Sequence, residues 1–555
     1  MAFQQSPSLA VLSPSILINL MHLMDPLDII RLRQTCKTLY SATKKRAVWV
    51  DQMKSMCAAN KVFAPTFDIE RMSLDALERA STAPARFFRL LVNPPEEPED
   101  GSNPFSTREI FLPTPPARSS KTTRRRASLA SPDSAPDDEF RSVCLVPGGR
   151  FLLCCSLHNI YIYYLDVGGT SERKVALILA RPIKSLLALS AHPEGCDYDF
   201  EIRECYRAEK EDIFRFISVM KPHTYLNERF SVRAKEVHPG AIIHLCEVAV
   251  PEDGEAGLKI LARLADDLLD SHTLDIHAVT ADLVVVSAGN KVVLWRHRQG
   301  TVAIWWAFEH RLGSLNGVFV VGAHALAVCE FSQAVIFRIP EFLPLGPGDA
   351  LPVPEWNAEP VYSINVDLEY PDNYATPRPW YHVPSSLPAW DFFAGDMTVR
   401  WVSEVVSTNF AERSKLPPFL PALHRTIRAD MSASHMQSRD SYVAHLTYVP
   451  CMDDNHVILA HRPYTQLVYA AYAYPEADPM QGAGADEAGS TTTYGVLTAK
   501  DPTSDGANDV GSFSLCAASG RVAYVNVMRD GLMSSAIGTI RKGSKKITVV
   551  DYLRQ

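Results

Sequence analysis

The strongest constraint in this sequence is a short N-terminal run that is too apolar for its length. Ser13-Pro14 is a helix start, because serine can cap and proline fits the first helical position, where its missing N–H would be unpaired anyway. From Ile16 to Met24 only Asn19 and His22 are polar. At about 100° per residue the apolar positions sweep an arc of about 220°, roughly twice the stripe of an ordinary surface helix. Asp25-Pro26 repeats the cap-and-proline signal and opens a second helix with Leu27, Ile29, Ile30 and Leu32 inward. Cys36, Leu39 and Tyr40 follow at helical spacing, and Trp49 closes the set. A unit of about 40 residues sits at the limit of independent folding. Its apolar faces need a second surface, either the rest of this chain or a partner that takes a helix into its groove.

The remaining composition narrows the class. A chain of 555 residues suggests three domains, or one small and one large. Hydrophobic residues at 46% and charged residues at 21% exclude full-length disorder, and 39 prolines exclude an all-helical protein. A net charge of −8 offers no basic field for nucleic acid. The longest apolar stretches, Phe151 to Leu165 and Ser314 to Cys329, fall short of the roughly 20 residues of a membrane span. No secretory signal is visible. Eleven cysteines with no CxxC pair fit reduced thiols in the cytoplasm or nucleus, not a disulfide framework or a zinc ribbon. Residues 1–93 hold twelve Lys/Arg against seven Asp/Glu, and Arg31, Arg33, Lys37, Lys44, Lys45 and Arg46 have no acid between them. That run faces either an acidic partner or solvent.

The run from Leu12 to Trp49, LSPSILINLMHLMDPLDIIRLRQTCKTLYSATKKRAVW, resembles an F-box. Leu12, Ile16, Leu17, Leu20, Met24, Asp25, Pro26, Asp28, Ile29, Ile30, Cys36, Lys37, Tyr40 and Trp49 fall on the family pattern without a gap. Ser13, Ser15, Met24 and Thr35 depart from its usual residues. The resemblance implies a SKP-family adaptor as partner and, through it, a cullin–RING ubiquitin ligase. It assigns adaptor docking to Leu12, Ile16, Leu17, Leu20, Pro26, Leu27, Ile29 and Ile30, and helix-holding core roles to Cys36, Tyr40 and Trp49. An acidic adaptor would also explain the basic run.

Beyond the box the helix continues from Trp49 to Asn60, Ser73 can cap another through Leu74 and Leu77, and ARFFRLLV forms an apolar-basic segment. These predict a stem. Residues 94–139 are rich in proline and serine without apolar spacing, which reads as a disordered linker. Within it, Arg125-Arg126-Ala127-Ser128 resembles a site for a basophilic kinase, making Ser128 a candidate phosphosite.

From about Val143 the period becomes that of strands. Segments starting at Phe151, Leu283, Leu326 and Phe513 share one format, an apolar run, a short polar or glycine turn, then a second apolar run. Val457 to Tyr472 is a looser fifth. Each predicts a β-hairpin, and most of the spacings approximate multiples of about 44 residues, near the length of a four-stranded propeller blade. Stacking around an axis buries faces that a lone hairpin cannot. Pro340 to Pro388 and Glu476 to Ser512 read as insertions, Lys259 to Leu269 as a helix, and residues 545–553 as a strand completing the first blade. The alternative is a β-sandwich pair or an irregular barrel.

The expected fold class is therefore α+β multidomain. It comprises an F-box domain over 8–60, a helical stem over 61–93, the linker over 94–139, and over 140–555 a large all-β domain. That domain reads as a β-propeller of about seven irregular blades. No nucleotide loop, HExxH or GxSxG motif occurs, so neither catalytic residue, metal nor cofactor is expected. Four histidines between His435 and His461, beside Asp453 and Asp454, form the densest metal-type cluster. Pro147-Gly148-Gly149-Arg150 reads as a turn. Adjacent Trp305 and Trp306 on one strand must face opposite sides. The expected function is substrate recognition in an SCF-type ligase, with an unknown protein as target. A scaffold outside ubiquitination and a propeller enzyme are the alternatives.

Overall fold

The computed structural model describes residues 9, 12–92, 106–113 and, across 138–553, the strands with most of their tight turns; between 364 and 511 the description is of backbone pairing. Both cap-and-proline signals form. The Ser13 hydroxyl accepts from the Ile16 amide (3.4 Å) ahead of α1 (Pro14–His22), and the Asp25 carboxylate from the Leu27 amide (2.7 Å) ahead of α2 (Pro26–Arg33). α3 (Lys37–Thr43) and α4 (Arg46–Ala59) complete the helical unit. Its core gathers Leu17, Met21, Ile29, Leu39, Val48, Trp49 and Met53. Gln52 ties α4 to α1 by donating to the Met21 carbonyl (2.8 Å), which also accepts from the Met24 amide (3.3 Å) at that helix end.

The stem continues through α5 (Leu74–Ser81), capped by Ser73, and α6 (Ala83–Val92). It is bolted to the β domain. Phe63 is fully buried, edge-on to Phe151 (5.5 Å) and Phe214 (5.3 Å), and its amide donates to the Pro147 carbonyl (3.0 Å). Arg150 returns the contact by donating to the Pro65 (3.0 Å) and Thr66 (2.8 Å) carbonyls. Phe87, Phe88 and Leu91 of α6 pack on Ala517, Val522 and Leu553.

The described strands form seven antiparallel sheets, taken in chain order over residues 140–182, 198–265, 274–306, 315–365, 374–428, 447–499 and 508–551. Consecutive sheets share cores: Ile217, Val219 and Ile243 of the second meet Val284, Val286 and Trp295 of the third. Trp305 of the third packs on Phe337 of the fourth (6.2 Å). The first strand of the first sheet lies against that of the seventh, where the Val143 and Leu145 amides donate to Ser512 (3.1 Å) and Ser514 (2.9 Å) hydroxyls. The domain is a β-propeller whose first and last blades meet.

Several expectations need correction. Ser106–Phe111, placed by composition in a disordered linker, is a strand. It is the outermost of blade seven, pairing with Lys546–Asp551 from Ser106↔Asp551 to Phe111↔Lys546. The chain's end therefore does not complete the first blade; an early strand completes the last one. Of the stretch read as a helix, Lys259 to Ala265 is strand, because Leu258, Ile260, Ala262 and Leu264 alternate along the strand Gly257–Ala265 that pairs with Ile242–Ala249; the rest, to Leu269, lies outside the described residues. Nor is Pro340 to Pro388 a plain insertion. It supplies Leu343–Pro344 as a fifth strand of blade three, Pro360–Asn365 to blade four and Tyr374–Pro377 to blade five. The stretch Glu476 to Ser512 likewise contains Tyr494–Ala499, the fourth strand of blade six.

Candidate functional site

The wide apolar arc of α1 is divided between two destinations. Leu17 and Met21, near 100° and 140° on the helical wheel when Ile16 is set at zero and each residue turns about 100°, are buried (1% and 0% exposed). Ile16 and Leu23, near 0° and 340° on the same scale, remain open at 51% and 87%. Leu20, between them, is half-buried, as are Leu12, Pro26, Leu27 and Ile30. Half of the arc thus packs the helical unit, and half lies uncovered although the unit is already fixed to the propeller through its stem.

The eight residues expected to dock a partner do not share one environment. Leu12, Ile16, Leu20, Pro26, Leu27 and Ile30 have surface to offer, whereas Leu17 and Ile29 are buried in the helical core and hold the helices together. Of the expected core residues, Trp49 is fully buried and donates its indole N–H to the Thr43 carbonyl (2.7 Å), and Cys36 is half-buried as the residue preceding α3. Tyr40 is not a core residue; it is 51% exposed, because Leu39 and Ala42 take the inner face of the short α3. Leu23, the most open large apolar side chain described, was not assigned from sequence, though its wheel angle next to Ile16 marks the face it shares.

The basic run has mostly internal partners. Arg33, 12% exposed, forms two hydrogen bonds to Glu78 (2.9 and 2.7 Å) and stacks over Trp49 (5.7 Å), with Lys44 3.7 Å from the same carboxylate. Burial alone would raise the Glu78 carboxyl, but the Arg33 hydrogen bonds and charge, with Lys44, hold it below its usual range. Arg31 pairs with Asp28 (2.6 Å), and Arg46 donates to the carbonyls of Met72 (2.5 Å), Ile69 (2.7 Å) and Glu70 (3.0 Å). Lys37 and Lys45 stay exposed. An acidic partner is therefore not needed to account for the run.

Residues 9–51 match the model of the F-box domain. They are an F-box. Among solved structures the chain is similar to the WD40 domain of SCAP from fission yeast, at 8% identity over 75% of this chain and 82% of that one (TM-score 0.32). It is also similar to the Cps50 (Swd1) β-propeller domain of Myceliophteria thermophila, at 10% identity over 75% and 97% (TM-score 0.35). A chain of the mitotic checkpoint complex matches at 8% identity over 83% and 99% (TM-score 0.34). No curated protein matches the chain. F-box domains bind SKP-family adaptors, and the F-box here offers Ile16, Leu23 and their half-buried neighbours as its open apolar face.

The propeller presents two faces. The F-box stem lies on the face bearing the turn between the first two strands of each blade, at Pro147 in blade one and Ala517 in blade seven. Pro147-Gly148-Gly149-Arg150 is a turn as expected, with Gly148 at φ +104° and Gly149 at φ +71°, and it seats Thr66 and Val62. The opposite face carries Trp306, 36% exposed over Lys291 (5.0 Å), while Trp305 is buried; the neighbouring tryptophans do face opposite sides. Among the described residues no group of His, Cys, Asp and Glu could hold a metal, and every cysteine is a free thiol. The side chains of the His435–His461 cluster, and Ser128, lie outside the described residues. No described helix is long and apolar enough to cross a membrane.

Proposed function

We propose that this chain is the substrate-recognition subunit of an SCF-type cullin–RING ubiquitin ligase. The open half of the α1 arc carries the proposal: Ile16 and Leu23 stay exposed in a helical unit that already has its own core and a fixed stem. Covering such side chains contributes about 1.5–3 kcal/mol each, so a SKP-family adaptor has a clear thermodynamic reason to sit there. The propeller's opposite face, where Trp306 projects, is the natural place for the target, because the stem occupies the other. The chain then works by proximity, holding a target lysine near a ubiquitin-conjugating enzyme carried by other subunits and raising its effective concentration. It acts as a binding subunit, without chemistry of its own.

The test is reconstitution. The full chain mixed with a SKP-family adaptor and a cullin should elute as one ternary complex in size-exclusion chromatography. A stable binary complex with adaptor that excludes cullin would point instead to a scaffold outside ubiquitination.

A further inference from the structure

The junction of blades two and three, on the stem-bearing face, holds several buried polar groups without partners. Tyr206, Arg215, Glu247 and Lys259 form one row across blade two, each opposite the next in strand register. Glu247 binds Arg215 Nε (3.0 Å) and Lys259 Nζ (2.7 Å), leaving two cations around one anion. Arg215 Nη1 is buried with no hydrogen-bond partner and Arg215 is 9% exposed, while Tyr206 lies within hydrogen-bonding reach of the Arg215 side chain and keeps its own hydroxyl proton to donate. Blade three presents Trp295 Nε1 and His297 Nε2 to the same junction, also buried and unpartnered, their rings 6.1 Å apart. Asp282 stands beside His297, and the exposed Arg298–Glu209 ion pair bridges the two blades at the rim.

A buried donor without an acceptor is destabilising, and several at one place call for a shared acceptor. We propose that this junction binds a phosphate-class oxyanion, with Arg215 Nη1, Tyr206 Oη and Trp295 Nε1 donating to its oxygens and Arg298 at the mouth. The chemistry suits a group with several strong acceptors better than a lone carboxylate. The site goes beyond the proposed ligase role, since it lies on the face opposite the proposed target surface and uses no F-box residue.

Isothermal titration of the full chain with inorganic phosphate tests it, with O-phosphoserine as a second probe. Saturable one-to-one binding is expected, weakened about tenfold by Tyr206→Phe, which removes one hydrogen bond, and by Arg298→Gln at the exposed rim. Tighter binding of phosphoserine would identify a phosphorylated side chain as the occupant, and equal or weaker binding a small phosphate. Absence of saturable heat, or an affinity unchanged in Tyr206→Phe, would overturn the proposal and leave ordered water as the occupant.

Discussion

The Phe63 ring stands edge-on to Phe151, 5.5 Å between centroids, so the residue that leads out of the F-box lies inside the core between the first two blades. The F-box is therefore not held on a loose tether. Its open α1 face has a fixed bearing relative to the propeller, as a proximity mechanism requires.

The seat for this contact is a glycine turn with no spare room. A Cβ at Gly148 would lie 2.6 Å from Thr66 Cγ2 and 2.8 Å from Val62 Cγ1, at a φ of +104° that L side chains rarely adopt. Gly148→Ala should cost about 2–4 kcal/mol from backbone strain and overpacking together. A lowered urea midpoint, with adaptor affinity retained, is the expected result.

Arg33 and Glu78 lock α2 onto α5. Glu78→Gln removes the charge while keeping the shape. It should cost about 1–3 kcal/mol, less than a fully buried pair because the carboxylate keeps some solvent contact. Hydrogen exchange should show α2 and α3 opening faster while the propeller strands are unchanged.

Completion of the last blade rests on a buried charge cluster. Asp551 accepts from Arg521 Nε (2.5 Å), Arg108 Nη2 (2.6 Å) and the Ser106 hydroxyl (3.0 Å), fastening the early strand Ser106–Phe111 into the last blade. Burial would raise the Asp551 carboxyl, but Arg521 and Arg108 outweigh it and hold it below its usual range. Its folded pKa is thus lower than its unfolded one. The contribution is complete above the unfolded value of about 3.9 and disappears as pH falls through the folded one. Asp551→Asn should destabilise by about 3–5 kcal/mol at pH 7, and the gap to wild type should narrow as thermal melts are taken to lower pH.

Much of this architecture can be read from residue order. The cap-and-proline pairs mark the starts of α1 and α2 because their physics is local. Hairpins at Phe151, Leu283, Leu326 and Val457 are the central two strands of blades one, three, four and six, where short turns separate two apolar runs. Blade two hides its central pair, since nineteen residues separate Pro222 from Ile242. In blade five, polar residues interrupt the runs, with Asp391 opposite Arg400 in register. The strand Ser106–Phe111 could not be found locally at all: its partner lies at the far end of the chain, and pairing rather than propensity makes it a strand. The F-box motif named the right segment, but it could not separate Leu17 from Ile16, because both are apolar and only packing decides which one faces inward.

That distinction sets the decisive experiment, the affinity of a SKP-family adaptor for the full chain and for Ile16→Asp/Leu23→Asp. Leu17→Asp would be uninformative, since it buries a charge in the helical core. The account predicts that the double variant keeps the wild-type melting temperature and loses adaptor binding by at least about a hundredfold, the equivalent of two buried aliphatic side chains. Unchanged affinity in the folded variant would contradict it.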